Sequence, residues 1–510
     1  MGLSRRRVLG LFGVAGAGLL LPYGCGSVIP RGGGNIETQG SAGGLLTSTA
    51  RLPKPFSLPF RVPEVLKPVR SDTEADYYEI TQQTAELEIL PGLRTEVWGY
   101  NGQFPGPTIV SRRGRRTVVR HTNQLSVPTV VHLHGGKTPA EHDGYPTDLV
   151  DPQGSHEYVY PVDQPAATLW YHDHRMDFTG PQVYKGLAGF HLIHDDEEES
   201  LDLPSGERDI PLMIADRAFA EDGSMIYPAR DPSLHHTPGV EPDYMSGVLG
   251  DCILVNGVPW PTLEVTNTKY RFRILNASNA RRYRLALDPP PPDGAAFIQI
   301  GSDLGLLPRP VRHEKLPIAQ AERFDVVIDF SAYRVGDTVT LVNELGDGGT
   351  SQVMRFVVAR RGRDDSRIPD RLADFRPLSP DEAVTEREFV FARGGAEHHG
   401  VTLWTVNGNA FDPDHIEARP KLGTVERWRF RGQNVPHPIH VHLAPFQVLS
   451  SGDQDGPAAY QTGWKDTVSL DNGGQAEVLV HFDSFRGKYV MHCHNLEHED
   501  MMMMANFEVV

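Results

Sequence analysis

The stretch Val255-Asn256-Gly257-Val258-Pro259-Trp260-Pro261, followed by Tyr270-Arg271-Phe272-Arg273-Ile274, decides the fold because variants of it occur three times in the chain. Asn-Gly predicts a tight turn, and the alternating residues after it predict a β-strand. Equivalent turns begin at Asn101 and Asn407, which lie 155 residues before and 151 residues after Asn256. This domain-sized period predicts three repeated β-domains.

Each repeat also ends in an apolar strand, at residues 189–193, 353–357 and 506–509. Charged connectors at residues 195–200 and 360–380 separate the repeats and are typical of solvated linkers. We therefore predict an all-β fold of three consecutive β-sandwich domains, at residues 71–200, 201–365 and 366–510.

Composition agrees with a large β protein. A length of 510 residues is too long for one core and suggests roughly three domains. The 51 glycines and 41 prolines favour turns and short strands. With 66 acidic and 49 basic residues the net charge is −17, which makes nucleic acid an unsuitable partner.

The N-terminus has the pattern of an export signal. Arg5-Arg6-Arg7 precedes an apolar run at residues 8–21, which is too short to span a membrane comfortably. Paired arginines before such a run resemble a twin-arginine signal, so we predict a signal at residues 1–25, an exported (secreted or cell-surface) protein and no stable membrane insertion of the mature domains. Lipid attachment at Cys25 is an alternative to cleavage or retention, but Pro22 and Tyr23 fit that pattern poorly.

Residues 26–70 are rich in Gly, Ser, Thr and Pro, which predicts a linker or a wrapping arm. The chain has only two cysteines after the signal, Cys252 and Cys493. We expect no structural disulfide, because Cys493 has a different role and Cys252 then lacks a partner.

Ten of the 22 histidines fall in four clusters, and eight of these form His-x-His pairs: His132 and His134, His172 and His174, His440 and His442, His492 and His494. On a strand, both imidazoles of such a pair lie on one face. His132 follows its Asn-Gly turn by 31 residues and His440 follows its own by 33, whereas the second repeat has no histidine there. The spacing predicts a site between the first and third repeats, with the second as a spacer.

The chemistry of these residues favours copper. If residues 492–494 are extended, Cys493 points away from the face of His492 and His494, so one strand can serve two metal centres. Cys493 with His498 and a nearby methionine, once a second histidine is supplied, is the ligand set of a blue-copper site. Eight neutral imidazoles in addition require several cations and exceed a tetrahedral zinc site.

These motifs resemble those of the multicopper oxidases, the laccase and ascorbate oxidase family, over about residues 75–510. Details resemble the bacterial branch with spore-coat laccases, bilirubin oxidases and phenoxazinone synthase. Those details are His134-Gly135-Gly136, Asp143-Gly144-Tyr145-Pro146, Leu254-Val255-Asn256-Gly257, Arg271-Phe272-Arg273-Ile274-Leu275-Asn276-Ala277-Ser278, Gly463-Trp464-Lys465-Asp466-Thr467-Val468 and His492-Cys493-His494-Asn495-Leu496-Glu497-His498-Glu499-Asp500. The resemblance implies cupredoxin-like Greek-key sandwiches and four copper ions.

The resemblance also implies which residues bind each copper. The type 1 ion takes His437, Cys493 and His498, with Met503 as the axial ligand by spacing and Met502 as the alternative. His132 and His440 hold the type 2 ion. The two type 3 ions take the remaining histidines, His134, His172, His174, His442, His492 and His494.

The implied activity is that of a laccase-like oxidase. Electrons from a reducing substrate pass from the type 1 site through Cys493 to His492 and His494, and four of them reduce O₂ to water. Asp143 and Glu499 are expected near the cluster as proton carriers, although a structural role such as a turn cap at Asp143 is an alternative.

The expected donors are phenols, aminophenols or bilirubin-like pigments. Oxidation of Cu⁺ or Mn²⁺ is an alternative, as is a copper-binding protein without turnover. Residues 225–250 are a candidate border of the substrate pocket, with an ordinary surface connection as the alternative. The sequence predicts no oligomeric state.

Overall fold

The structure is a computed structural model, and it describes residues 40–398, 401–452 and 456–510. The predicted signal at residues 1–25, with Cys25, lies outside the described residues, as does the first part of the predicted arm.

Strands form most of the regular structure, and they fall in three runs. The first run consists of β1 (Gly44–Leu45), β2 (Arg70–Ser71), β3 (Ala75–Leu87), β4 (Thr95–Tyr100), β5 (Gly106–Arg112), β6 (Arg116–Asn123), β7 (Val131–His134), β8 (Ser155–Tyr160), β9 (Ala167–Asp173) and β10 (Ala188–His194). The second consists of β11 (Asp209–Arg217), β12 (Val248–Leu249), β13 (Cys252–Val255), β14 (Val258–Pro259), β15 (Thr262–Thr266), β16 (Lys269–Asn276), β17 (Tyr283–Asp288), β18 (Phe297–Ser302), β19 (Gly305–His313), β20 (Leu316–Ile318), β21 (Arg323–Asp329), β22 (Thr338–Asn343) and β23 (Gln352–Arg360). The third consists of β24 (Ala383–His398), β25 (Val401–Val406), β26 (Ile416–Ala418), β27 (Thr424–Gly432), β28 (His437–Val441), β29 (Phe446–Ser451), β30 (Thr467–Leu470), β31 (Gln475–Phe482), β32 (Gly487–Cys493) and β33 (Met504–Val509).

Short helices lie between the strands: α1 (Thr179–Lys185), α2 (Asp196–Glu199) and α3 (Leu496–Glu499). In the part of the chain that the structure describes, no helix has the length and apolar character needed to cross a membrane.

Each run of strands builds two sheets around one apolar core. The sheet orders are β5-β10-β9-β7 and β2-β3-β6-β8 with β4 on β3; then β14-β13-β11-β16-β21-β18-β19 and β15-β23-β22-β17-β20; then β25-β24-β27-β31-β29 and β26-β33-β32-β28-β30. The closing strands β10, β23 and β33 each run parallel to a neighbour in their sheet. The prediction of three consecutive β-sandwiches is confirmed. The domain boundaries near residues 200 and 365 stay predictions.

The three Asn-Gly turns have the same backbone conformation. Asn101, Asn256 and Asn407 have φ values of 54°, 49° and 53°, and the glycine after each is also at positive φ. Positive φ at both central residues is the type I′ geometry that Asn-Gly favours. Each asparagine carboxamide accepts the backbone N–H of one residue in the first long strand of its repeat, at Thr81, Met213 and Val390, each at 2.8 Å. The sequence repeat is therefore also a repeat of hydrogen bonds.

The described part of the predicted arm, residues 40–70, runs along the first two repeats. Leu46 N–H donates to Leu249 O at 2.7 Å, and Phe60 N–H donates to Thr262 O at 2.9 Å. Further along, Leu66 N–H donates to Thr108 O at 2.8 Å. The arm thus connects elements that belong to different sandwiches.

Candidate metal centre

The four His-x-His pairs meet between the first and third repeats. In the first repeat, β7 pairs with β9 so that His132 lies opposite His172. In the third repeat, β28 pairs with β32 so that His440 lies opposite His492. All eight rings are at most 1% exposed.

The two repeats contact each other through stacked imidazoles. His132 stacks on His442 with ring centroids 3.7 Å apart, and His134 stacks on His440 at 3.6 Å. Because each stack joins a first-repeat ring to a third-repeat ring, the site has the pseudo-symmetry that the spacing predicted. Strand β17, at the corresponding place in the second repeat, carries no histidine.

One group of three histidines has the geometry of a metal site. The Nε2 atoms of His174, His442 and His492 lie 3.2, 3.3 and 3.3 Å apart. Each side divided by the square root of three places the centre about 1.9 Å from every nitrogen, close to a metal–imidazole bond of roughly 2.0 Å. Neutral rings that all point Nε2 at one another cannot be mutually hydrogen-bonded unless some carry a proton there, whereas a cation uses all three lone pairs.

The remaining five rings fall in two further groups, one of which also includes His442. The possible ligand atoms of His134, His172 and His494 lie within 4.8 Å of one another, as do those of His132, His440 and His442. Among the described residues, Nε2 of His132, His172 and His440 and both ring nitrogens of His494 have no hydrogen-bond partner. Buried polar atoms are normally satisfied, so these unpartnered nitrogens fit a site that binds metal.

Backbone carbonyls fix which nitrogen each ring presents. Nδ1–H of His132 donates to Asp143 O at 2.5 Å, and Nδ1–H of His440 donates to Asp466 O at 2.9 Å, which leaves Nε2 as the free lone pair. His134 is reversed, because its Nε2 lies 3.2 Å from Asp466 Oδ1 and its Nδ1 is the atom without a partner.

Burial lowers the pKa of seven of the eight rings and so favours the neutral form that metal binding requires; these are His132, His134, His172, His174, His440, His442 and His494. Burial lowers the pKa of His172 to about 3 and that of His174 to about 4. Burial, together with the neighbouring rings, also holds the pKa of His132 and of His442 well below the ordinary value. Neutral imidazole offers the lone pair that a divalent metal needs.

The second centre is a group of three donors around Cys493. Its Sγ lies 3.4 Å from His437 Nδ1 and 3.5 Å from His498 Nδ1, and the two nitrogens are 3.2 Å apart. Burial raises the pKa of the Cys493 thiol, so the thiolate requires a cation beside it. One thiolate with two imidazoles fits blue copper.

The four consecutive methionines differ in their surroundings. Met503 is fully buried in the apolar core that contains Cys493, and its N–H donates to His498 O at 3.0 Å. Met502 has φ +84° and is only partly buried, packing at the edge of this core and also against the separate cluster of Tyr145. The left-handed backbone at Met502 therefore gives different surroundings to the two methionines, Met502 and Met503, that the spacing alone left as alternatives.

Asp143 and Glu499 both face histidines of the cluster. Asp143 Oδ2 lies 2.7 Å from Nδ1 of His442, and burial raises the pKa of Asp143 well above its ordinary value. Glu499 lies 3.0 Å from Nδ1 of His492 and 3.3 Å from Nδ1 of His174. Burial acts to raise the pKa of Glu499, but the two facing rings outweigh it and lower that pKa to about 2.

One contact of the site was not assigned from the sequence. Asp466 is 2% exposed and forms a bidentate ion pair with Arg323, at 2.8 Å from Nη1 to Oδ1 and 2.6 Å from Nη2 to Oδ2. Arg323 also donates to the carbonyls of Thr168 and Asp303, at 3.0 and 2.9 Å. The arginine thereby joins all three repeats behind His134. The Lys465-Asp466 motif carried the signal, but its partner lies 143 residues away.

The outer edges of the blue-site histidines are covered by protein. His437 Nε2–H donates to the carbonyl of Gln433 at 2.9 Å. Trp404 stacks on His498 with centroids 3.8 Å apart. The backbone carbonyl of Ser246 faces His498 and opposes the larger effect of burial, which lowers the pKa of that ring well below its ordinary value. An electron-donating substrate therefore does not contact either imidazole directly.

A cavity of about 260 Å³ opens next to this covered edge. It is lined by Arg230, His236, Thr237, Pro238, His398, Val401, Leu403, Asp500, Met501 and Met502. The cavity wall is joined to the blue site by a backbone hydrogen bond, in which Met501 N–H donates to the carbonyl of His498 at 3.2 Å. The segment 225–250 therefore supplies part of the cavity lining and, at Ser246, part of the cover.

Comparisons with known proteins match most of the chain. Two family models described as multicopper oxidase match residues 81–198 and 384–510. A laccase from Bacillus stratosphericus is 40% identical over 508 residues, which are 88% of this chain and 98% of the relative. A bilirubin oxidase from Albifimbria verrucaria is 37% identical over 508 residues, at 92% and 84% coverage. The crystal structure of laccase from Pediococcus acidilactici Pa5930 is similar with a TM-score of 0.79 and 33% identity, covering 91% of this chain and 95% of that one.

Proposed function

Since this chain belongs to the multicopper oxidase family, copper-dependent oxidoreductases that act on O₂, we propose that it oxidises small phenols, aminophenols or bilirubin-like pigments. The observation that carries this proposal is that β32 joins two sets of metal ligands, those of the blue site and those of the histidine cluster. Strand β32 ends at Cys493 of the blue site, and the adjacent residues His492 and His494 each belong to one of the three-histidine groups of the cluster.

We propose the following ligands for the four coppers that the family uses. The type 1 ion is held by His437, Cys493 and His498, with Met503 as the axial ligand. His132 and His440 hold the type 2 ion, in support of which their Nε2 atoms are buried without partners among the described residues. The type 3 ions take two groups of three, namely His134, His172 and His494, and His174, His442 and His492.

The bound coppers supply the chemistry of accepting electrons singly and reducing O₂ to two waters. The protein's own contribution is to hold ten histidines and one cysteine in place before metal arrives. Carbonyl acceptors at Asp143, Asp173 and Asp466 fix the rings of His132, His172 and His440, which reduces the reorganisation needed on binding. Asp143 and Glu499 hold or move protons at the Nδ1 edges of the cluster.

The cavity beside the blue site supports an aromatic donor. Met501, Met502 and Leu403 offer an apolar, polarisable wall for a ring, and Arg230 and His236 can bind a phenolate or carboxylate at the rim.

A second candidate donor is Cu⁺. The same cavity contains two thioethers, Met501 and Met502, and two imidazoles, His236 and His398, and such soft donors suit Cu⁺. Mn²⁺ prefers carboxylate oxygen, and Asp500 is the carboxylate in the lining.

One panel of O₂-uptake measurements tests these proposals. Purified, copper-loaded protein is given 2,6-dimethoxyphenol, o-aminophenol, bilirubin, Cu⁺ and Mn²⁺ in parallel, beside the Cys493→Ser variant. We expect turnover of the aromatic donors, and we expect the variant to lose both O₂ uptake and the blue absorption near 600 nm, a rough value for a copper–thiolate site. Turnover by Cys493→Ser would contradict the role of this cysteine, and turnover of metal ions alone would favour the second candidate.

We also propose that the protein is exported through its paired arginines, Arg5-Arg6-Arg7, and that its domains divide near residues 200 and 365. The test of export is loss of the protein from the outer fraction when Arg5 and Arg6 are both changed to lysine.

A further inference from the structure

The segment of residues 241–249, here called the strap, covers the blue-site histidine and is attached to its surroundings by polar contacts. Trp404 Nε1–H donates to Met245 O at 2.9 Å, and Asn495 Nδ2–H donates to Ser246 O at 3.0 Å. Val248 N–H donates to the carboxylate of Glu497 at 3.0 Å. All three partners adjoin the site, because Trp404 stacks on His498 and the other two lie between Cys493 and His498 in sequence.

The strap has little regular structure of its own. Its strand, β12, has two residues, and within the described residues it forms a separate two-stranded sheet with β1 of the arm. The arm supplies Gly44 N–H to Gly247 O at 2.9 Å and Leu46 N–H to Leu249 O at 2.7 Å. Without the arm, the strap would retain side-chain hydrogen bonds but no β-sheet partner.

The backbones of the arm and the strap approach so closely that no side chain fits between them. Gly43 and Gly247 have φ of +149° and +134°, and a Cβ on Gly43 would lie 2.4 Å from Gly247 O. Leu46 is 7% exposed and belongs to the apolar core that also contains Met245 and Trp404. The arm therefore contacts the strap in two ways. Its backbone touches the strap backbone, and its Leu46 side chain packs in the same core as Met245 of the strap.

We propose that arm residues 43–46 hold the strap closed over His498, and that this contact determines which donors can deliver electrons. The inference rests on the proposed oxidase function and specifies how its donor site is bounded. With the strap closed, donors are limited to those that fit the neighbouring cavity or react across the Ser246 backbone. With the strap released, the edge of His498 becomes accessible to larger donors.

The test uses Gly43→Ala in the full-length, copper-loaded enzyme. The new methyl group conflicts with Gly247 O and is also strained at positive φ, so the arm must move away from the strap. Gly40→Ala is the matched control, because a Cβ at Gly40 meets no atom within 4 Å and no positive φ is involved.

Hydrogen exchange of peptides from the strap gives a measurement that does not depend on turnover. We expect exchange in the strap of Gly43→Ala to be about five- to tenfold faster, as the loss of one or two backbone hydrogen bonds implies, and exchange in Gly40→Ala to be unchanged. Donor kinetics should change in parallel. The ratio of kcat/KM for bilirubin to kcat/KM for 2,6-dimethoxyphenol should rise in Gly43→Ala.

A second variant changes the contact of the strap with Trp404 instead of its contact with the arm. Trp404→Phe removes the hydrogen bond to Met245 O but retains a ring against His498, and it should shift strap exchange and donor ratio in the same direction. Faster exchange with an unchanged donor ratio in both variants would overturn the inference, as would unchanged exchange. If the unmodified enzyme oxidises no donor at all, the proposed function fails instead, and the exchange data still report whether the arm holds the strap.

Discussion

Replacing Asp466 with asparagine tests whether the ion pair behind His134 holds the three repeats together. The change retains the shape of the side chain but removes its charge. Arg323 is completely buried and Asp466 is 2% exposed, so the guanidinium would lose its bidentate partner in a place that water does not reach.

The size of the effect follows from these contacts. Removing one member of a buried ion pair costs about 3–5 kcal/mol, because the remaining charge is left uncompensated. Arg323 would keep the carbonyls of Thr168, Ala321 and Asp303 as acceptors, so we expect the lower end, about 3 kcal/mol. If a unit of 150–250 residues unfolds cooperatively, this corresponds to a thermal midpoint lower by roughly 6–12 °C.

The assay is calorimetry of the metal-free protein, which separates the ion pair from copper binding. The matched control is Asp365→Asn, because Asp365 lies 3.0 Å from Arg363 in a pair whose side chains are 72% and 87% exposed, and we expect no measurable change there. In a double-mutant cycle with Arg323→Met, the two single variants together should lose about 1–3 kcal/mol more unfolding free energy than the double variant loses. A change in Asp466→Asn no larger than in the control, or additive losses in the cycle, would refute the reasoning.

The remaining predictions concern the two metal centres. Met503→Leu should raise the reduction potential of the blue site because an axial thioether is lost, whereas Met502→Leu should leave that potential unchanged. A redox titration that follows the absorption near roughly 600 nm measures both potentials. The reverse pattern would identify Met502 as the ligand. Glu499→Gln removes the negative charge that faces His174 and His492 and should slow reoxidation by O₂ while anaerobic reduction of the blue site keeps its rate in stopped-flow measurements; slower anaerobic reduction would contradict this. Removal of copper should lower the thermal midpoint, and added copper should restore it, because the copper ions would bind ring nitrogens that have no other partner among the described residues; equal midpoints with and without metal would count against the site.

The parts of the molecule that the sequence predicted well are local. An Asn-Gly turn requires only its own two residues at positive φ, so three copies were visible as a repeat before any contact was known. The His-x-His pairs depend only on the alternation of a strand. The family motifs added the grouping of ligands, which no spacing within one strand could provide.

The parts that were not predicted depend on residues far apart in the chain. Arg323 and Asp466 are 143 residues apart, and Ser246 and Asn495 are 249 residues apart. Neither pair has a periodic pattern, and a buried aspartate cannot be distinguished from a surface one by its letter alone. The strap is an intermediate case: the sequence offered residues 225–250 as a border of the substrate pocket, with a surface connection as the alternative, but it gave no sign of the contacts of Met245 with Trp404 and of Ser246 with Asn495.

The stacked imidazoles impose an order on biosynthesis. His132 and His134 of the first repeat find their stacking partners only at His442 and His440 of the third, and the ribosome must add more than 260 residues after His174 before His440 exists. At synthesis rates of about 5–20 residues per second, the first-repeat histidines wait roughly 13–50 s for their partners. A complete copper cluster therefore reports that the third repeat has been synthesised and folded, and metal loading becomes a check on the finished chain.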